Sequence, residues 1–492
     1  MALPLAERIA MVARRHPENP ALFRQGRAVS YRELLAMARA AEKSIAALRI
    51  PEGRPVAVVA AKSPETIAVL LACMRTARPA LVPSADVADK PLHQLLADTG
   101  ARMLPDPHAL VSGTAQPVAA GPEEPAEGRV PDGTALILTT SGSTGFPKAV
   151  PLPGAAVGAF AEWAATRFGI RGDTSVLSYA PLNFDLSLLD VWTTLARGGR
   201  VALVEQDRAA HPRHLLSLLR QCPVQVVQGV PMLFQLLGAA EKHAGGEEFA
   251  TVRDVLVTGD VLSPDGLAVL PGLFPRARMH NVYGCTETND TFVHEMDPTG
   301  DLARYGAVPI GRPVEGVAAD IRAEDGSVLD GPGRGELIVS SPFQTSGYLD
   351  RAHQAKAFVS HPGATTPGTY YRTGDLVTRH PDGVLTLDGR SDFVVKVRGI
   401  RINTAAVEGA LRSHPEVADA VVLALPDERT GRRLHAVVHR AAGSLLNSLR
   451  LREHVAAELP RAGIPSGIEF VDAPLPRTTT GKIDRRTVAN SL

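Results

Sequence analysis

Cysteine is scarce. Three residues, Cys73, Cys222 and Cys285, stand in 492 positions with no paired spacing. That weighs against a disulfide scaffold or a cysteine zinc site and fits a reducing compartment. Net charge is absent as well, with 52 basic residues against 52 acidic ones. A general nucleic-acid or anionic-membrane binder is therefore not expected. No apolar run reaches the roughly 18 residues a membrane-spanning helix needs. Glu7 and Arg8 break the apolar start before it could act as a signal segment. A cytoplasmic protein is expected. Lysine is sparse, eight among the 52 basic residues, a composition bias without functional content. What is present is ordinary for a globular chain: 45% apolar and 21% charged residues. The length suits roughly three domains or subdomains.

Short apolar runs alternate with amphipathic stretches over the first 300 residues. Val56–Ala60, Ala135–Thr139, Val201–Val204, Val224–Gln228 and Val255–Thr258 read as strands, and Tyr31–Leu48 and Pro64–Arg75 as helices. The alternation predicts an α/β fold with mostly parallel sheet. Residues 106–131, rich in Pro, Gly, Ala and Glu, read as a surface connection. From about 310 to 391, short strands between Gly/Pro/Asp turns predict a small β-rich subdomain. A compact α+β unit follows, with helices at Thr404–Ser413 and Leu449–Leu459 and a strand at Ala418–Ala424. The expected boundary separates 1–391 from a mobile C-terminal domain, 392–492.

The strongest local signal is Thr139-Thr140-Ser141-Gly142-Ser143-Thr144-Gly145-Phe146-Pro147-Lys148, which follows a buried strand. Glycines and small hydroxyl residues let backbone N–H groups approach phosphate oxygens, and Lys148 adds a point charge. Pro147 before the lysine separates it from a Walker A loop. A flexible Ser/Gly turn is the plain alternative.

With this loop the sequence resembles the adenylate-forming superfamily: acyl-CoA synthetases, luciferases and adenylation domains of nonribosomal peptide synthesis. The likeness runs from Ser30-Tyr31-Arg32-Glu33-Leu34 to Lys482. It implies a large α/β N-terminal domain, a small mobile lid domain, and ATP and Mg²⁺ as cofactors. By resemblance Thr140, Ser141, Gly142, Ser143, Thr144, Gly145 and Lys148 bind ATP. Asn281-Val282-Tyr283-Gly284-Cys285-Thr286-Glu287 resembles the adenine and magnesium motif. Asn281, Val282, Tyr283 and Thr286 thereby contact the nucleotide, and Glu287 is the metal ligand. Cys285 stands where Pro or Ser is usual and reads as a packing variant. Asp375, in Tyr371-Arg372-Thr373-Gly374-Asp375, matches the ribose carboxylate. Arg390 and Lys396 match further nucleotide contacts, and Asp392 matches the hinge. Pro476-Arg477-Thr478-Thr479-Thr480-Gly481-Lys482 resembles the motif of the catalytic lysine, and the implied catalytic set is Lys482, Thr144 and Glu287. A solvated basic tail is the plain alternative there, since Arg485 and Arg486 follow. Arg75–Pro83 lacks the glycine usual at that place, and Ser340-Ser341 replaces usual glycines.

Phe184-Asp185-Leu186-Ser187-Leu188-Leu189-Asp190 resembles the segment that opens the pocket of amino-acid-activating members. Asp185 would pair with a substrate α-ammonium, because a buried amine needs a carboxylate partner; alternatively it caps the following helix. The pocket carried over is Asp185, Leu186, Leu189, Gln228, Leu256, Thr258, Val282, Asp290 and Thr291. Its opening resembles free-standing prolyl-AMP ligases, and Phe-Asp-Leu-Ser with Gly259-Asp260-Val261-Leu262 resembles alanine ligases that load a carrier. Asp290 matches neither. It lines the pocket, or it is solvated within the polar run Asn289-Asp290-Thr291. The chain ends soon after Lys482 without a carrier segment. A free-standing ligase is expected, passing a small α-amino acid in trans to the phosphopantetheine thiol of a holo carrier protein. An acyl-CoA or aryl-CoA synthetase using free CoA is the alternative.

Overall fold

The structure, a computed structural model, describes residues 3–85, 87, 89–115, 130–140, 148–244, 249–323, 325–360, 368–390, 394–397, 400–427, 431–459, 463–478 and 481–492. It is a mixed α/β molecule of two compact units. The first comprises residues 1–319 and 339–372, the second 320–338 and 373–492.

The first unit holds a nine-stranded sheet. Its centre runs Arg278–Cys285, Asp254–Thr258, Val226–Gly229, Ser175–Ser178, Arg200–Leu203 and Pro20–Arg24, all pairing in parallel. Such strands are apolar on both faces because helices cover both. Two core clusters accordingly share the strand Asp254–Thr258: Leu256 belongs to one, Val255 and Val257 to the other. Antiparallel strands close each edge, Arg27–Ser30 at one end and Asn289–Glu295 with Arg312–Pro313 at the other.

A second sheet of five strands ends in the hairpin Thr134–Thr140 and Lys148–Pro153. Local chemistry sets several helix boundaries. Helix Tyr31–Ala47 starts at a capping box, in which Ser30 and Glu33 satisfy each other's backbone N–H groups. The Tyr31 hydroxyl donates to the carbonyls of Leu195 and Gly199. The Ser-Tyr-x-Glu signature is therefore a cap and a buried anchor. Helix Pro64–Arg75 begins with an Ser63 cap and Pro at N1. The expected surface connection from 106 needs correction: Asp106 caps a helix, Pro107–Ser112, whose Leu110 is fully buried. Residues 116–129 lie outside the described ones.

In the second unit, Val417–Asp427, Gly431–Arg440 and Gly467–Val471 form a three-stranded sheet. Helices Thr404–Arg412 and Ser448–Glu458 supply Leu411, Leu451 and Val455 to its own core. This unit also contains the antiparallel pairing of Asp375–Arg379 with Leu385–Arg390. Among the described residues no helix is long and apolar enough to cross a membrane.

Candidate active site

Thr140 and Lys148 are direct partners across the hairpin. The glycine-rich loop is therefore a closed connection between two antiparallel strands, and Lys148 opens the returning strand rather than a helix. Ser141, Gly142, Ser143, Thr144 and Gly145 lie outside the described residues. The Lys148 ammonium sits 5.2 Å from the centre of the Tyr348 ring, a cation–π distance. The Tyr348 hydroxyl donates to Glu287 Oε1. The Tyr371 hydroxyl lies 3.4 Å from that of Tyr348. Burial, and next the Glu287 charge, push both tyrosine hydroxyls well above their ordinary range. They stay protonated and remain donors. One cluster thus joins the lysine after the loop to the candidate metal carboxylate.

A strap, residues 341–348, holds these parts in register. The Thr345 N–H donates to the Glu287 carbonyl at 2.8 Å and its hydroxyl to the Pro151 carbonyl at 2.5 Å. Asn289 Nδ2 donates to the Phe343 carbonyl at 2.7 Å. Ser341, where a glycine is usual, accepts from the Phe343 N–H at 3.0 Å and fixes the strap's turn. Tyr348, Tyr371 and Thr345 were not among the sequence candidates as contacts. Tyr371 opens the string that resembles the ribose motif.

The strand Arg278–Cys285 carries Asn281, Val282 and Tyr283 and turns through Thr286 and Glu287 into Asn289–Glu295. Gly284 is required there, because a Cβ would meet the Asn289 carbonyl oxygen at 2.2 Å. Asn281 Nδ2 donates to the Pro309 carbonyl at 2.7 Å. That bond orients the amide and leaves its oxygen as the acceptor for an incoming donor. The Tyr283 ring is half-buried and packs edge-on against Phe292. Thr286 is half-exposed and Glu287 buried. Cys285 is partly buried, with Sγ 3.1 Å from the Thr288 hydroxyl.

Four of the pocket candidates, Gln228, Leu256, Thr258 and Val282, share one face of the large sheet. Ser178, Gln228, Leu256 and His280 are successive partners across four strands, and Thr258 pairs with Val282 one row on. Partners in a sheet project to the same side. Leu189 packs in the same core cluster as Leu256 and Val282. It belongs to a π-helical turn, Leu188–Thr193, in which the Thr193 hydroxyl donates to the Leu188 carbonyl. Such turns recur at functional sites. Asp185 precedes the turn and is not its cap; that position is Ser187, whose side chain bonds elsewhere. The Asp185 carbonyl accepts from the Leu188 N–H at 2.8 Å.

Leu186, Leu189, Gln228, Leu256, Thr258 and Val282 are buried. Asn289, Asp290 and Thr291 are buried too, so the solvated polar run does not exist. The Thr291 hydroxyl turns to the Tyr283 carbonyl at 3.4 Å. Burial, and then the nearby Asp185, push the Asp290 carboxyl up to about 8. Sequence reasoning missed Lys62 and the charge of Asp190 near these residues. Both are buried; desolvation drives Lys62 down to about 7 and Asp190 well up. A charged residue closing an apolar run was the available signal.

In the second unit Asp375 and Arg390 are strand partners, joined Nη1 to Oδ1 at 3.0 Å. Gly374 has φ +71°, and the Thr373 hydroxyl accepts from the Asp375 N–H. Lys396 lies on the strand Val394–Val397; Asp392 lies outside the described residues. Lys482 is exposed on a loop tied at both ends. Its carbonyl accepts from the Thr478 N–H at 2.8 Å, and Arg477 pairs with Asp419. Arg485 pairs with Glu408 and donates to the Val422 carbonyl. The segment is an anchored loop, and the solvated basic tail is set aside.

A strand-closed, lysine-ended loop, a buried carboxylate and an aromatic-bearing strand end define a nucleotide-handling α/β enzyme. A family model described as AMP-binding enzyme matches residues 9–349, and its C-terminal-domain counterpart matches 406–482. The chain belongs to the AMP-binding enzyme family. It is 34% identical over 362 residues to the L-proline–[L-prolyl-carrier protein] ligase of Pseudomonas fluorescens, covering 74% of this chain and 69% of that protein. It is 27% identical over 508 residues to the D-alanine–D-alanyl carrier protein ligase of Bacillus licheniformis, covering 100% of both. It is 36% identical over 366 residues to a Mycobacterium phenyloxazoline synthase, covering 74% of this chain but 30% of the synthase. Among solved structures, Klebsiella oxytoca NpsA in complex with 3-hydroxyanthranilyl-AMSN aligns with TM-score 0.82 and 25% identity, over 100% of this chain and 99% of that one.

Proposed function

We propose that the protein activates a small α-amino acid with ATP and passes it to the phosphopantetheine thiol of a separate carrier protein. The observation that carries this reading is Asp185, set before a π-helical turn whose Leu189 packs with the buried sheet residues Leu256 and Val282, and close enough to Asp290 to act on its charge. A carboxylate there suits an ammonium that must leave water. The names of the prolyl and D-alanyl carrier protein ligases support it.

In the first step a substrate carboxylate oxygen attacks the α-phosphorus, and pyrophosphate leaves. The loop 140–145 and Lys148 hold the phosphates. Asn281 accepts from the adenine amine, Tyr283 stacks on the base, and Val282 and Thr286 complete that wall. Asp375, oriented by Arg390, takes the ribose hydroxyls, and Lys396 adds a nucleotide contact. Negative charge grows on both reacting groups, so a cation between them favours the transition state over the ground state; Lys482 is that cation. Thr144 joins it as a hydroxyl donor.

Glu287 fits a Mg²⁺ ligand, being a buried hard-oxygen donor already oriented by Tyr348. Among the described residues no cluster of three candidate ligands occurs. Magnesium commonly binds through one or two carboxylates plus substrate phosphates. When bound it would neutralise charge on the triphosphate. In the second step the carrier thiolate attacks the acyl carbon and AMP leaves, with Asp392 as the hinge between the two states. A cytoplasmic setting supplies both ATP and holo carrier. The test offers holo carrier and free CoA together to the aminoacyl-adenylate. Preferential loading of the carrier is expected; preferential formation of acyl-CoA would overturn the acceptor assignment.

A further inference from the structure

The pocket face holds more acceptors than a plain α-amino acid can use. With Asp185 assigned to the α-ammonium, two carboxylates remain. Asp290 is nine-tenths buried, and among the described residues its Oδ2 has no hydrogen-bond partner. Among the described residues Asp190, fully buried in the π-helical turn, has no hydrogen-bond partner for either oxygen. Among the same residues the fully buried Gln228 has no hydrogen-bond partner at either end of its amide, nor has the hydroxyl of its strand partner Ser178. The nearby cation, Lys62, directs its ammonium to the carbonyls of Ser178 and Tyr179 at 2.9 and 2.8 Å. Buried polar groups are ordinarily paired. Unsatisfied buried acceptors on residues coupled to one another, Asp290 to Asp190 and to Asp185, point to donors on the substrate.

We propose that Asp290 and Asp190 form a second acidic subsite, which takes the side-chain amine of a short diamino acid. The inference rests on the amino acid reading above. An ammonium carries three donors and no acceptor, whereas a hydroxyl carries one donor. Three acceptors, on Asp290, Asp190 and the Gln228 carbonyl, therefore match an amine better than an alcohol. A short side chain fits because Gln228 and Leu256 project large buried side chains from this face and Leu189 packs in the same core cluster as Leu256. Charge follows the same pattern. Burial first, and then the charge of Asp185, raises the Asp290 carboxyl; burial raises Asp190 against the opposing charge of Lys62, with Asp290 adding to the rise, so without ligand the subsite tends to hold protons. An arriving ammonium favours the ionised carboxylates.

The test is ATP–pyrophosphate exchange by the wild type with 2,3-diaminopropionate, 2,4-diaminobutyrate, homoserine, 2-aminobutyrate, alanine and proline. A diamino acid is expected to exceed 2-aminobutyrate in kcat/KM by about 10²-fold or more, because a site built for a donor rejects analogues lacking it. In Asp290→Asn that ratio is expected to fall by about 10-fold or more. Equal or better use of 2-aminobutyrate, alanine or proline by the wild type would overturn the subsite. Homoserine as the best substrate would replace the amine by a hydroxyl. An unchanged ratio in Asp290→Asn would remove Asp290 from the subsite. Exchange with plain carboxylic acids and no α-amino acid would instead overturn the reading on which the inference rests. The wild-type ratios stand even if the variant folds poorly.

Discussion

Asp290 shows how one buried carboxyl links stability to pH. Its folded value, about 8, lies above the ordinary carboxylate range. Stability from this group is fully present below about pH 4 and is lost as pH rises through the folded value. Asn has no proton to lose. The melting advantage of Asp290→Asn over wild type should therefore grow between pH 5 and pH 8.5, read by thermal unfolding without ligand. A constant difference would contradict the burial argument. Tyr348 is a positioning residue, acting through Glu287. Tyr348→Phe should lower kcat/KM for ATP about 10-fold, the range of lost partners to metal ligands. Half-saturating Mg²⁺ should rise with it, which general loosening would not produce.

At the scale of elements, two short turns make opposite predictions. Ala77 follows helix Pro64–Arg75 with φ +50°, in the left-handed region that favours glycine. Ala77→Gly should stabilise, since a left-handed alanine costs about 1–2 kcal/mol and glycine returns only part of that as lost entropy. Gly284→Ala should destabilise by about 1–3 kcal/mol, because the new methyl meets backbone across the bulge. It should also impair exchange by displacing Asp290, its direct partner. Chemical denaturation of both variants checks the signs. The regular elements were legible: Pro64–Arg75 coincides with its sequence range because Ser63 and Pro64 mark its start. The π-helical turn was not, because its stability comes from threonine hydroxyls bonding carbonyls five residues back. Nor was the strap, whose bonds to Pro151 and Glu287 join segments far apart in sequence.

For the whole molecule, the candidate residues fall in both compact units. Lys148, Glu287 and Asp185 belong to one, Asp375 and Lys482 to the other. The family was legible because its motifs are local strings in a fixed order, and the family models match the chain. Lys62 and Asp190 were not, since only the fold brings these sequence-distant charges within reach of each other. Lys482→Ala should slow adenylate formation about 10²–10³-fold, the cost of one electrostatic group aimed at developing charge. Transfer from a supplied aminoacyl-adenylate to a holo carrier should fall far less. Equal loss in both half-reactions, measured separately, would contradict the division of labour.

Recognition of the α-ammonium by Asp185 is the central claim. The direct measurement is ATP–pyrophosphate exchange with the preferred α-amino acid and its desamino analogue, for wild type and Asp185→Ala. The wild type should prefer the amino acid strongly. Asp185→Ala should lose about 10²-fold or more in kcat/KM for the amino acid, as an unpaired buried ammonium implies, and much less for the analogue. Wild-type preference for the desamino acid, or a variant that activates the amino acid as well as wild type does, would contradict the account.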